Sequence, residues 1–525
     1  MGRSLFYLSV YSVVLLGSEI FYRAVFHITP LYRIPESFLI IFIHLSLFYF
    51  SKYRLSRFFI ALFFAMSIII NNVHYEVYLN WINGINYLLM FKEWWEVTHS
   101  GIAMLGKISG GIIWGCVDVF IFLSIGHFRK KTFIAADVIF ALAMVYIFIR
   151  SFYTHQELGI TSNPGYSRIK SNYFAFGYFV GRTLPYDLFQ LSDVPVYYAK
   201  TPKVASEPKI KNIVFIVGES VSARHCSVFG YQRQTTPFLE KLLQTYPRMT
   251  LKIAYCGGLS TAISLPTLFS AVPRPNGMEQ IISGRTNLFN LAKQQGYKTR
   301  FYSAQPENQM MIISIMGKTW IDDLMFPTSL GYSISDIMHD HKLYDLFQKI
   351  DLDEGYNFIV LHQRGSHTPY AEILTEDEKI FKQNTPVDNY DCTIYNTDQF
   401  IKKVFTHLEK REKDDWVLLF TPDNGQFVSN EYYNQGTREE DNYLVPLMIY
   451  SPNKNVEELQ EKFLDCKKMF HHQLSTFIVN LLGFDVRISD CKKGVISCSL
   501  LTGDAGYLEV EVNKPPVFIV PKERK

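Results

Sequence analysis

Two carboxylates far apart in the chain, Glu219 and Asp423, each stand just beyond a short apolar run. Brought to one place, such a pair could hold a divalent cation. Taken singly, an acidic residue at a strand end serves as readily as a helix cap. Between them lies Cys256-Gly-Gly-Leu-Ser-Thr-Ala-Ile-Ser-Leu-Pro266, a small-residue stretch leading into a predicted helix. A hydroxyl at a helix N-terminus feels the dipole and the free backbone N–H groups, and a nearby cation lowers its pKa further. Thr261 or Ser260 is therefore a candidate nucleophile, against the plainer reading of an N-cap. The histidines divide. His362 and His367 bracket the end of another apolar run, His339-Asp340-His341 reads as a solvated turn, and His471 and His472 read as surface or capping residues before the amphipathic helix 474–482.

The elements that must carry these groups are the continuous apolar runs at 212–217, 358–361, 416–420 and 445–450, with helical stretches between them. Buried strands alternating with helices predict an α/β fold with a mostly parallel sheet. In such sheets ligands bind at the carboxyl ends of the strands, so Gly218-Glu219-Ser220, His362 to His367 and Pro422-Asp423-Asn424-Gly425 should share one edge.

The first 150 residues are of another kind. Apolar runs at 5–28, 36–53, 58–79, 108–127 and 132–150 predict five transmembrane helices. The run at 36–53 is the weakest, purely apolar only over part of its length, and the charge pattern requires it. Arg3, then Lys52, Arg54 and Arg57, then Arg129, Lys130 and Lys131 mark the cytoplasmic loops, which places the 80–107 loop and everything after Arg150 on the other side. Glu19 and Arg23 inside the first run, with no small-residue cleavage site, predict a retained anchor in which the two pair at i and i+4. Trp81, Tyr87, Trp94 and Trp95 read as an aromatic belt, and Glu96 as a contact for a lipid ammonium. The polar, proline-interrupted segment 151–208 predicts a surface helix and an extended linker, leaving 209–525 as the catalytic domain. A net charge of +3, with no basic cluster interleaved with aromatics, sets nucleic acid aside. Of seven cysteines, Cys116 lies in a membrane run and six lie after residue 208, where an even number suits disulfides; the short-loop pair is Cys491 with Cys498.

Four ordered motifs carry a resemblance. They are Gly218-Glu-Ser220, then Gly230-Tyr-x-Arg-x-Thr-Thr-Pro237, then the Cys256–Pro266 stretch, then Leu361-His-x-x-Gly-Ser-His-x-Pro369. Together they resemble the phosphoethanolamine transferases of the alkaline phosphatase/sulfatase superfamily, which modify lipid A or the lipopolysaccharide core. The resemblance covers 211–450 by motif and the rest by architecture. It implies a monomeric bacterial inner-membrane protein with a sulfatase-like domain in the periplasm. It also implies phosphatidylethanolamine as donor, a lipopolysaccharide or lipooligosaccharide acceptor and a phosphothreonine intermediate. Thr261 matches the family nucleophile, Glu219 and Asp423 its metal ligands, and His367 a histidine near the transferred phosphate; His362 reads as structural. Asn424 stands where the family has a ligating histidine, Gln435 falls where it has a further one, and Thr267 stands where the cysteine partner of Cys256 would be. The resemblance implies zinc, while an amide oxygen at Asn424 admits magnesium, manganese or calcium. The alternatives are a phosphoglycerol transferase of the lipoteichoic acid synthase type and a catalytically inactive lipid-binding relative.

Overall fold

The computed structural model describes residues 2–78, 81–92, 105–129, 131–152, 165–189, 194–307, 310, 313–333, 336–431, 433–498, 501–503 and 506–519. The chain divides into two compact units, 1–192 and 193–525.

The first unit is helical: α1 (Gly2–Val25), α2 (Ile34–Phe50), α3 (Arg54–Tyr78), α4 (Gly84–Lys92), α5 (Leu105–Ser124), α6 (Ile134–Phe152) and α7 (Arg168–Tyr178). Four stretches, Gly2–Val25, Arg54–Glu76, Ile108–Phe128 and Ile134–Phe152, are long and apolar enough to cross a membrane. The fifth expected span, α2, has 17 residues. At about 1.5 Å per residue that is short of a hydrocarbon core of about 30 Å, so the structure supports four spans by length and leaves the count of five without confirmation. The basic loops do meet at one end of this unit. The Tyr49 hydroxyl donates to Phe128 O and lies 3.3 Å from Ser4 Oγ, while Arg129 Nε donates to Tyr49 O at 2.8 Å.

Glu19 and Arg23 pair as expected, at 2.8 Å, both buried. The segment expected as a surface helix behaves differently. In α7, Arg168 is buried and donates from its backbone N–H to Glu19 Oε1, and from its guanidinium to Asn72 Oδ1 and Asp118 Oδ2. A guanidinium that finds a carboxylate on α1 and another on α5 can be taken out of water, and this draws α7 into the helical unit. Trp81 corrects the belt reading: it is fully buried against Tyr75, with its indole N–H donating to Tyr166 O. Tyr87 is likewise buried. Trp94, Trp95 and Glu96 lie outside the described residues.

The second unit is built on an eight-stranded sheet. Its strands in chain order are β1 (Asn212–Gly218), β2 (Thr250–Tyr255), β3 (Tyr297–Ser303), β4 (Asp323–Met325), β5 (Tyr356–His362), β6 (Trp416–Pro422), β7 (Leu444–Tyr450) and β8 (Lys468–Phe470). In space they run β8-β2-β7-β6-β1-β5-β3-β4. β1 is parallel to β5 and β6, and β3 is parallel to β4 and β5. β7 is antiparallel to both its neighbours. Every residue of β1, β6 and β7 is buried, because helices cover both faces and each side chain meets one of two apolar layers. A separate three-stranded antiparallel sheet, β9 (Lys493–Ser497), β10 (Tyr507–Glu511) and β11 (Val517–Ile519), follows.

The disulfide differs from the expected one. Cys466 and Cys491 are joined, with Cα atoms 5.6 Å apart, while Cys498 is free and buried. Adjacency in sequence misled because Ile496 to Cys498 turn inward at the end of β9, whereas Cys491 lies before it, against the loop that carries Cys466. Non-reducing peptide mapping should recover Cys466 linked to Cys491 with Cys498 as a thiol, and Cys491→Ser should lower stability by about 2–4 kcal/mol. A linked Cys491–Cys498 peptide would contradict this pairing.

Candidate active site

The register of the central strands sets the site. Gly218 of β1 faces Pro422 of β6, so the next residues on these adjacent parallel strands, Glu219 and Asp423, leave the sheet side by side. Both are fully buried. The helix α8 (Thr261–Phe269) starts beside them, and Thr261 Oγ1 donates to Asp423 Oδ2 at 2.5 Å while lying 3.4 Å from Glu219 Oε1. Ser260 occupies the N-cap position without a side-chain cap bond. The geometry thus separates the two hydroxyls: Thr261 points at the carboxylates.

Neither carboxylate forms an ion pair with lysine or arginine among the described residues, and each is held by neutral donors. Gln305 Nε2 donates to Glu219 Oε2 at 2.7 Å and Ser220 Oγ to Oε1 at 2.9 Å. The Ser220 N–H donates to Asp423 Oδ1 at 3.2 Å and Asn424 Nδ2 to Oδ2 at 2.6 Å. Burial alone would push the Glu219 carboxyl up, but His362 and His367 beside it and the Ser220 hydroxyl hold it below the ordinary carboxylate range. Asp423, buried and facing the Glu219 charge, is pushed well above that range. His362 Nε2 is 3.8 Å from Glu219 Oε2, too far for a hydrogen bond, and its Nδ1 contacts Ser303 Oγ.

The loops behind the site are tightly constrained. Ser220 has φ +56°, a left-handed conformation that a non-glycine residue adopts only when its surroundings impose it. Tyr390, from α9 (Pro386–Glu409), donates its hydroxyl to Ser220 O at 2.8 Å and accepts from the Ser222 N–H. Gly365, at φ +52°, leaves no room for a Cβ, which would sit 2.9 Å from the Glu219 nitrogen. Asp340, expected in a solvated turn, instead accepts from the N–H groups of Arg364 and Gly365, and burial pushes its carboxyl up to about 6. It fixes the loop that carries His367, which is half-buried with Nδ1 on Thr368 O.

Gln435 is exposed, with Nε2 donating to Asn424 Oδ1 at 2.8 Å and to Ser220 Oγ at 3.2 Å. The two amides that stand in for the resemblance's two histidines therefore touch. No group of three or more His, Cys, Asp or Glu that could hold a metal exists among the described residues. Two buried carboxylates and a hydroxyl nevertheless bring oxygen donors together, with the Gln305 and Asn424 amides presenting their nitrogens to them, and such a set fits a divalent cation. Cys256 is free and buried, and Thr267 lies against Gly257.

Sequence reasoning missed Gln305 and misread His471. Gln305 follows β3, whose Tyr-Lys-Thr-Arg-Phe-Tyr-Ser sequence lacks the continuous apolar run used to find strand ends. His471 is buried, not a surface cap. It opens the helix α10 (His471–Leu481), accepts from the Gly257 N–H at Nδ1, and at Nε2 meets Thr421 Oγ1 at 3.1 Å. The consistent tautomer carries its proton on Nε2, since Thr421 Oγ1 donates onward to Pro446 O. One ring thus ties the loop before Thr261 to the strand before Asp423. Only its place directly after the short strand β8 could have signalled this.

The sulfatase family profile matches residues 211–483, just over half of the chain, and the chain belongs to that family. Among curated relatives, it is 24% identical over 286 residues to the Kdo(2)-lipid A phosphoethanolamine 7''-transferase of Salmonella typhimurium, a match covering 50% of this chain and 47% of that protein. It is 22% identical to the phosphoethanolamine transferase EptA of Helicobacter pylori, over 67% of this chain and 68% of that one. The chain spans about half the length of the first of these relatives. Among solved structures, the integral membrane lipooligosaccharide phosphoethanolamine transferase A of Neisseria meningitidis aligns with TM-score 0.46 at 19% identity, covering 92% of this chain and 96% of that one.

Burial lowers the His471 pKa to about 3. A histidine that must stay neutral when folded contributes stability above its unfolded value of about 6.5, and that contribution is lost as pH falls below it. His471→Gln, which keeps an acceptor and a donor, should flatten the fall in melting temperature between pH 6.5 and 5 and retain most turnover. His471→Phe should lower kcat by about 10- to 100-fold with little change in KM. Equal losses in both variants would reduce His471 to a packing residue.

Proposed function

We propose that this protein is a phosphoethanolamine transferase that moves phosphoethanolamine from phosphatidylethanolamine to a lipopolysaccharide or lipooligosaccharide acceptor, in lipid A or the inner core, through a phosphothreonine intermediate. The observation that carries the reading is the Thr261 hydroxyl set 2.5 Å from Asp423 and 3.4 Å from Glu219 at adjacent strand ends. The order of motifs around these three residues and the likeness to phosphoethanolamine transferases support the same assignment. The proposal includes five spans, a bacterial inner-membrane location, the second unit in the periplasm and a monomeric chain, with 1–150 as the spanning region, 151–208 as the bridge and 209–525 as the catalytic domain.

In this mechanism Thr261 Oγ1 forms a bond to the donor phosphorus as the bond to the diacylglycerol oxygen breaks. The hydroxyl proton, held toward Asp423 in the resting site, leaves with the diacylglycerol. An acceptor hydroxyl then forms its bond to the phosphorus, the bond to Thr261 breaks, and the acceptor proton restores the Thr261 hydroxyl. His367 is assigned to the phosphoryl oxygens, Gln435 to substrate, and Glu96 to the donor ammonium. A divalent cation held by Glu219, Thr261, Asp423 and Asn424 would polarise a phosphoryl oxygen and sharpen the nucleophile. For Asn424 this role exchanges its amide oxygen away from Gln435.

Purified full-length protein given fluorescent phosphatidylethanolamine should release labelled diacylglycerol and carry phosphoethanolamine on the Thr261 peptide. Thr261→Ala should abolish both while remaining folded. Turnover of phosphatidylglycerol alone would favour the phosphoglycerol-transferase alternative, a folded protein inert to both lipids the inactive relative, and an adduct on Ser260 or Ser264 would displace Thr261 as nucleophile.

The metal gives a separate expectation. After chelation, activity should return best with magnesium, manganese or calcium, and Asn424→His should shift that preference toward zinc. Asp423→Ala should remove metal and activity together. One zinc per chain surviving dialysis of protein purified without chelators would overturn the hard-cation assignment.

A further inference from the structure

At the end of the first unit where α1 leads into α2, a cavity of about 210 Å³ opens between Tyr32, Tyr166, Arg33, Lys170 and Glu36. It lies at the far end of α2 from Tyr49, so it falls where headgroups meet a membrane-embedded bundle. Exposed apolar side chains Ile34, Leu39 and Ile43 continue from it along α2. Gly165 makes one wall possible: a Cβ there would sit 2.2 Å from the Tyr32 ring.

The charges are unevenly satisfied. The Lys170 ammonium pairs with Glu36 at 2.5 Å and sits 3.8 Å from the centre of the Tyr166 ring, so the place a ligand ammonium would take, between a carboxylate and an aromatic face, is filled from within. Arg33 is 81% exposed, and among the described residues it is paired only with Glu36 Oε2, 3.9 Å away. Among the described lining residues, two cations against one carboxylate leave an excess of positive charge in a site already supplied with its own ammonium. An anionic phosphodiester relieves that excess, whereas the ammonium of a zwitterionic headgroup would meet Arg33 and Lys170.

We infer that this cavity binds the phosphodiester of an anionic membrane phospholipid of the phosphatidylglycerol class, with Arg33 and Lys170 on the phosphate and the acyl chains along Ile34 and Leu39. The lipid is bound and not consumed: every lining residue belongs to the first unit, and none is a nucleophile of the transfer reaction. The inference rests on the membrane placement proposed above.

The test is native mass spectrometry of the full chain released from nanodiscs holding equal phosphatidylglycerol and phosphatidylethanolamine. Phosphatidylglycerol should be retained about fivefold over phosphatidylethanolamine, the effect expected of one basic residue at a membrane surface. Arg33→Gln, a change at an exposed position, should bring the ratio close to parity, and Glu36→Gln should raise it. No preference in the wild type, or the same preference in Arg33→Gln, would overturn the site. Loss of bound lipid to millimolar inorganic phosphate would overturn the lipid assignment in favour of a free anion. Incorporation into nanodiscs reports the membrane placement independently of lipid choice.

Discussion

Two carboxylates buried side by side are the constraint on which the second unit depends. Glu219 and Asp423 emerge from neighbouring parallel strands in matched register, so the sheet that gives the domain its core also forces two like charges together. Both are buried, and neutral donors from four directions hold them: Gln305, Ser220, Asn424 and Thr261. Because the Glu219 charge is favoured, Asp423 is pushed up, and Thr261 is the hydroxyl that lies between them. A cation would relieve the same conflict, so the placing of Thr261, the two carboxylates and the strand order are physically one problem.

The pairing of Asn424 with Gln435 gives the departures from the resemblance a physical coherence. Each of these amides carries both a donor and an acceptor, so the two can meet each other without a tautomer having to be fixed. Joined by one N–H···O bond from Gln435 Nε2 to Asn424 Oδ1, the two amides satisfy each other and leave Asn424 Nδ2 to donate to Asp423 Oδ2. The two replacements are better understood as one exchange of partners than as two separate losses.

The strand runs at 212–217, 358–361 and 416–420 were legible in the sequence because a strand buried on both faces needs unbroken apolar character, and their ends marked Glu219, His362 and Asp423. The run at 445–450 was equally legible as a buried strand, but direction leaves no trace in an apolar run, and it proved antiparallel to both neighbours. β3 escaped notice because Lys298 and Arg300 interrupt it, and Gln305 was missed with it. Arg168 and His471 were read as surface residues for a common reason: a polar side chain inside a fold is betrayed only by its partners. Those partners, Asp118 and Glu19 for the one and Thr421 and Gly257 for the other, lie far away in the chain.

The small sheet at the C-terminal end has a bearing on where the second unit can be cut. Gly258 forms a parallel bridge with Ser497: the Leu259 N–H donates to Ser497 O and the Ser497 N–H donates to Gly257 O, two residues before the helix that presents Thr261. The family match ends at residue 483, short of that contact. A chain cut at that boundary would keep Glu219, Thr261, Asp423 and Asn424, yet the loop leading to Thr261 would lose the backbone rail on which it lies. The working boundary of the domain is therefore set by a pair of main-chain hydrogen bonds that no side-chain motif marks, and it falls beyond Ser497.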